Sequence, residues 1–126
     1  MDKPIKLAIA TEDGAQISAH LGRAPYYEVL TVEGDQIVAR ERRAKTFHAA
    51  GQAHDHHGSA GQTMHAGMIS AAQDCVAIIA GGMGKPAFAS IQAAGVQAVV
   101  TDERDIERAA RAYAAGTLVN HLERLH

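Results

Sequence analysis

Sulfhydryl chemistry has little to work with in this chain, because Cys75 is its only cysteine. An intramolecular disulfide and a four-cysteine iron–sulfur site within one chain are both excluded, and the usage fits a reducing cytosol. Long apolar runs are missing too. No stretch approaches the about 18 residues of a membrane-spanning helix, and no signal-peptide core follows Met1-Asp2-Lys3-Pro4. A cytoplasmic protein with no membrane partner is expected. Neither charge predominates: 12 Lys and Arg stand against 14 Asp and Glu, a net charge of −2 with histidine neutral. That argues against a nucleic acid held mainly by charge. There is no Gly-x-Ser-x-Gly nucleophile elbow. With neither internal repeat nor linker, the 126 residues read as a single domain, 1–126, with a real core.

What is present is organised around residues 74–86, Asp-Cys-Val-Ala-Ile-Ile-Ala-Gly-Gly-Met-Gly-Lys-Pro. Cys75 to Ala80 is short, apolar and β-branched at Val76, Ile78 and Ile79, as a strand buried on both faces would be. It runs into Gly81-Gly82-Met83-Gly84, where side chains are few and the backbone is free to turn. Pro86 then suits the first turn of a helix, where its missing N–H would have had no partner. A buried strand thus delivers a glycine-rich turn to a helix N-terminus, whose N–H groups and dipole favour anions. The turn is neither the dinucleotide fingerprint nor a P-loop, since Lys85 lacks the following Ser or Thr.

Around this unit the pattern predicts strands over Ile5–Ala10, Tyr26–Val32, Gln36–Arg43 and Val96–Val100. The second and third form a hairpin about Glu33-Gly34-Asp35, and the charged end Arg40-Glu41-Arg42-Arg43 marks a wet edge. Helical spacing is expected over 60–73 (Met64, Met68 and Ala71 on one side) and over 87–94, closed by Gly95. A last helix is expected from Thr101-Asp102-Glu103, capped by Thr101 or Asp102 and ended by Gly116, with Ile106, Ala109, Ala110 and Tyr113 inward. The element order is β-β-β-α-β-α-β-α, an α/β mixed sheet covered by helices.

Eight histidines are the compositional outlier. His48, His54, His56, His57 and His65 crowd one stretch, and His20 lies on an earlier loop. Imidazole is the commonest protein ligand for Zn, Ni and Cu. His54-Asp55-His56-His57 is too crowded for all four side chains to meet one metal, and the spacing matches no closed zinc motif. Two reasonable readings stand at this point: a mononuclear metal-binding or metal-sensing loop for Zn, Ni or Cu, or a solvated polar loop. Carboxylates for catalysis, Glu12, Asp13, Asp74, Asp102 and Asp105, fall at turns and helix starts, where capping explains them. Cys75 precedes a strand, where no helix dipole stabilises a thiolate.

Three blocks carry a resemblance. They are Ser18-Ala19-His20-Leu21-Gly22-Arg23-Ala24-Pro25-Tyr26-Tyr27, then Ala80-Gly81-Gly82-Met83-Gly84-Lys85-Pro86-Ala87, then Ala93-Ala94-Gly95-Val96 running to Thr101-Asp102-Glu103 and Ala112-Tyr113-Ala114-Ala115-Gly116. The chain resembles the dinitrogenase iron–molybdenum cofactor biosynthesis family, small domains related to NifX and to the C-terminal part of NifB. The resemblance implies a ribonuclease H-like fold, no catalytic activity, and carriage of an iron–sulfur or molybdenum-containing cluster among cofactor-assembly proteins. The family's motif histidine falls on His20, a ligand candidate beside Cys75. Where the family usually shows Phe, this chain has Leu21. Gly81, Gly82, Met83 and Gly84 would supply backbone donors to an anionic guest.

Overall fold

A computed structural model describes residues 3–44 and 69–125 of the chain. Its strands are β1 (Ile5–Thr11), β2 (Tyr26–Glu33), β3 (Gln36–Ala44), β4 (Ala77–Ala80) and β5 (Gln97–Val100). They make one five-stranded mixed sheet in the order β3-β2-β1-β4-β5. β1 lies antiparallel to β2 and parallel to β4, and β4 is parallel to β5. Residues 69–71 are helical, and the helices α1 (Lys85–Ala93) and α2 (Ile106–Ala115) follow β4 and β5. The expected mixed α/β architecture is therefore observed.

Strand periodicity explains why the sheet is covered on both faces. Ala8 and Ala10 of β1 and Ile78 and Ala80 of β4 join one core with Leu21, Ala72, Ala87 and Ile91. Leu7 and Ile9 of β1 and Ala77 and Ile79 of β4 join the other, with Ile106, Ala109 and Ala110 of α2. Side chains alternate across a strand, so a strand apolar at every position must be buried on both sides. The small alanines on the first face leave room for α1 and the segment around residue 72.

Most element ends shift by one or two residues from the expectation, α1 starting at Lys85 and not at 87, and two starts bear on the site. The central strand begins at Ala77, not at Cys75. The last helix begins at Ile106, and its cap is Asp105, whose carboxylate accepts the Arg108 N–H at 2.7 Å. Thr101 and Asp102 stand in a turn before it. The Thr101 hydroxyl accepts from the Glu103 N–H, and the Glu103 carboxylate accepts from the N–H groups of Arg104 and Asp105. Gly116 closes α2 in the left-handed conformation (φ 79°), as its position after the last apolar residue suggests.

The free side of β5 is dressed by the C-terminal segment. The Asn120 side chain accepts from the Val100 N–H and donates to the Ala98 carbonyl, and the His121 N–H donates to the Val100 carbonyl. At the opposite edge β3 is charged, and it neutralises a buried acid. The Glu28 side chain is 8% exposed and accepts from Arg40 Nε at 2.7 Å and Arg42 Nε at 3.3 Å. Arg40 also reaches Glu107 and the Gly14 carbonyl, joining β2, β3, α2 and the loop after β1. Glu28→Ala should cost about 2 kcal/mol, below the full figure for a buried pair because both arginines keep partial access to water. Urea denaturation measures this, and an unchanged midpoint would show that solvent serves the arginines equally well.

Candidate functional site

β1 and β4 are parallel neighbours whose chains leave in opposite directions. β1 is followed by β2 on one side, and β4 leads to β5 on the other. In open α/β sheets such a divergence, at the carboxyl ends of the strands, is where ligands find a crevice. Here it is formed by the connection 12–25 and by the turn 81–84.

The two connections are joined backbone to backbone. The Gly81 N–H donates to the Ser18 carbonyl at 2.8 Å, and the Leu21 N–H donates to the Gly82 carbonyl at 2.9 Å. Ser18 in turn donates its N–H to the Ala10 carbonyl at 2.8 Å, so the arch is tied to the end of β1. The approach is close enough to demand glycine. A Cβ on Gly81 would lie 3.0 Å from both the Ala19 Cα and the Ser18 oxygen, which are backbone atoms and cannot swing aside. The turn 101–104 joins in, since the Ile17 N–H donates to the Arg104 carbonyl at 2.9 Å.

His20 stands on this arch as an exposed residue at the start of a 3-10 turn, Leu21–Arg23. Leu21 is buried and anchors the turn in the α1-side core. Gly22 is exposed, its backbone is not left-handed, and an added Cβ would meet nothing within 4 Å. Local folding therefore does not require glycine there, and the surface beside His20 is open.

Gly82 and Met83 are buried, Met83 at 2% exposed with its side chain in the α1-side core, and Gly81 and Gly84 are the partly exposed residues of the turn. Gly84 is the N-cap of α1 and supplies no side-chain cap, while Pro86 sits in the first turn. The positive end of the α1 dipole therefore follows directly on the turn that the His20 loop is bonded to. Lys85 and Arg23 are both exposed. Against the arch lie two hollows of about 250 and 60 Å³, the first lined by Glu12, Asp13 and Ser18 and the second by Gly81, Asp102 and Glu103, with Ala19 and Arg104 in both.

Cys75 lies elsewhere in this arrangement. It is 5% exposed, within the core that contains Tyr27, Ala71 and Ala72. Burial first, and then the neighbouring Asp74 carboxylate, pushes its thiol up to about 11. Asp74 itself is held well below the usual carboxylate range by hydrogen bonds from Arg43, at 2.6 and 3.0 Å, and from Lys6 at 3.1 Å. His48, His54, His56, His57 and His65 lie outside the described residues. Among the described residues, no group of three or more His, Cys, Asp and Glu side chains is placed to hold a metal ion. The structure thus brings His20 and Gly81–Gly84 together and puts Cys75 in the core.

Two contributors are not assigned to the site from sequence, where Glu12 reads only as a turn or capping carboxylate. Ser18, 5% exposed, and Glu12 form a hydrogen-bonded support beneath the His20 backbone. The available signal was a serine two residues before the histidine, the spacing at which a hydroxyl binds nearby backbone.

The chain matches the family described as dinitrogenase iron-molybdenum cofactor over residues 3–116. No curated protein matches it in sequence. Among solved structures it is similar to the apo form of the orange protein from Desulfovibrio gigas, with 20% identity, a TM-score of 0.66, and 97% of each chain covered. It is also similar to a protein of Methanocaldococcus jannaschii provisionally named a dinitrogenase, with 11% identity, a TM-score of 0.64 and 97% of each chain covered. A Thermotoga protein provisionally named NifB shares 22% identity, with a TM-score of 0.62 and 92% of each chain covered. These likenesses show a shared fold.

Because the Gly81 contact is backbone on backbone, Gly81→Ala should destabilise the fold by about 1–3 kcal/mol. Thermal or urea unfolding of the variant is the check. Wild-type stability would mean that the arch can lift from the glycine turn at no cost.

Proposed function

The chain belongs to the dinitrogenase iron–molybdenum cofactor family, and from that premise we propose that it binds and carries an anionic iron–sulfur or molybdenum-containing cluster without catalytic turnover. The cargo sits between the His20 loop and the N-terminus of α1. The protein works in the cytoplasm, hands its cargo to or takes it from cofactor-assembly proteins, and is a member of the ribonuclease H-like folds.

One observation carries the reading: the hydrogen-bonded junction of the 18–22 arch with the 81–84 turn. It ties the loop that carries the exposed His20 to the turn that leads into a helix start with no side-chain cap. The donor set suits the guest. A large anion needs positive potential and N–H donors more than it needs many covalent ligands. A carrier must also release what it holds, so one imidazole and a backbone cradle serve better than a closed set of thiolates. Lys85 and Arg23 add positive charge at the rim. Gly22 supports the same reading, because its open surroundings leave clearance for a bulky cluster next to His20.

Anaerobic reconstitution with iron, sulfide and molybdate, followed by metal analysis and visible absorption, tests the proposal. The wild-type protein should take up colour and metal. His20→Ala should weaken retention about tenfold or more, on the scale of losing a ligand. Cys75→Ser should cost roughly 1 kcal/mol of stability and keep the cargo. A protein that stays colourless, or one that loses cargo with Cys75→Ser and keeps it with His20→Ala, would overturn the assignment.

Gly22→Leu provides an independent check on where the cargo lies. Stability should change by no more than about 0.5 kcal/mol, as for other surface substitutions, while cargo uptake falls. Undiminished uptake would remove the cluster from this surface.

A further inference from the structure

We propose that Ser18 and Glu12 are positioning residues that fix the His20 backbone for cargo binding, a role that rests on the carrier reading above. Ser18 is the node through which the site is assembled. Its N–H holds the end of β1 at Ala10, and its carbonyl accepts the Gly81 N–H of the glycine turn. Its hydroxyl accepts the His20 N–H at 3.2 Å. The same oxygen lies 3.0 Å from a Glu12 carboxylate oxygen and 3.0 Å from the His20 carbonyl.

A hydroxyl has one proton, so these contacts are not all donated at once. Two acceptors compete for it, and a carboxylate is the stronger. With the proton directed to Glu12, the Ser18 lone pairs face the His20 N–H. The order is then Glu12 carboxylate, Ser18 hydroxyl, His20 amide, each donor pointing toward the acid. With Glu12 removed, the proton turns to the His20 carbonyl. The hydroxyl is then anchored only to the residue it should be orienting.

The arrangement separates two duties. The two carbonyl-to-amide bonds of the arch fix where the loop lies, and backbone alone provides them. The hydroxyl fixes how the peptide at residue 20 is turned, and with it the direction in which the imidazole leaves the chain. Glu12 is exposed, so its loss should leave the fold intact. Ser18 is buried but small, and its removal deletes one oxygen.

The test uses Ser18→Ala, Glu12→Ala and Glu12→Gln in the full chain, with two readouts. The first is retention of cargo after anaerobic loading with iron, sulfide and molybdate. Ser18→Ala should lower retention about tenfold, as supporting residues of metal sites do. Glu12→Ala should lower it by a smaller factor, and Glu12→Gln, which keeps an acceptor oxygen, should restore it. Melting temperatures of the Glu12 variants should match the wild type. The second readout is amide hydrogen exchange of the unloaded protein, in which the His20 N–H should exchange roughly fivefold faster in Ser18→Ala.

Wild-type retention in both Ser18→Ala and Glu12→Ala, while His20→Ala fails, would overturn the positioning role and leave the carrier reading standing. A wild-type protein that takes up nothing would overturn the carrier reading and, with it, any role in cargo binding. Exchange at His20 that is unchanged in Ser18→Ala would overturn the positioning role whatever the cargo does.

Discussion

The junction between the arch 18–22 and the glycine turn 81–84 is the constraint on which the rest of this molecule turns. Two amide-to-carbonyl bonds make it, Gly81 to Ser18 and Leu21 to Gly82. Both partners must be at the same end of the sheet, which requires β1 and β4 to be parallel neighbours. Both strands must then be buried on two faces, which their apolar sequences permit. The turn after β4 must come close to the Ala19 backbone, where a Cβ on residue 81 would be crowded at 3.0 Å and glycine is favoured. Helix α1 then starts where the junction ends, with its N-terminal dipole toward the open side.

On the proposed reading, the chemistry of that geometry is one of holding. The described residues of the crevice offer amide donors, one exposed imidazole and rim cations, and the sole thiol is in the core with its proton held more firmly than usual. Such a surface attracts an anion without enclosing it.

Much of this was legible in the sequence, for physical reasons that differ by element. The strand, turn and helix across 75–93 could be read because burial, glycine and proline each leave a local mark. So could the β2–β3 hairpin, through its aromatic and β-branched run and its charged outer strand. The start of α2 was misplaced because Thr101 and Asp102 are good capping residues in isolation. Glu103, by accepting two backbone N–H groups, keeps the chain in a turn until Asp105. Strand order and the burial of Glu28 were hidden, since both depend on partners far along the chain. Glu28 is tolerable inside only because Arg40 and Arg42 arrive from the neighbouring strand. His20 was visible as a motif residue, while its support by Ser18 and Glu12 required the loop to be folded first.

The central claim is that the guest occupies the space between the His20 loop and the start of α1. Amide hydrogen exchange compared between the unloaded protein and the protein loaded from iron, sulfide and molybdate measures this directly. The account predicts added protection at His20 to Arg23 and at Met83 to Ala87 (Pro86, having no N–H, excepted), with the hairpin turn at Glu33 to Gln36 unchanged. Protection that leaves those two segments as they were and appears elsewhere in the chain would contradict it.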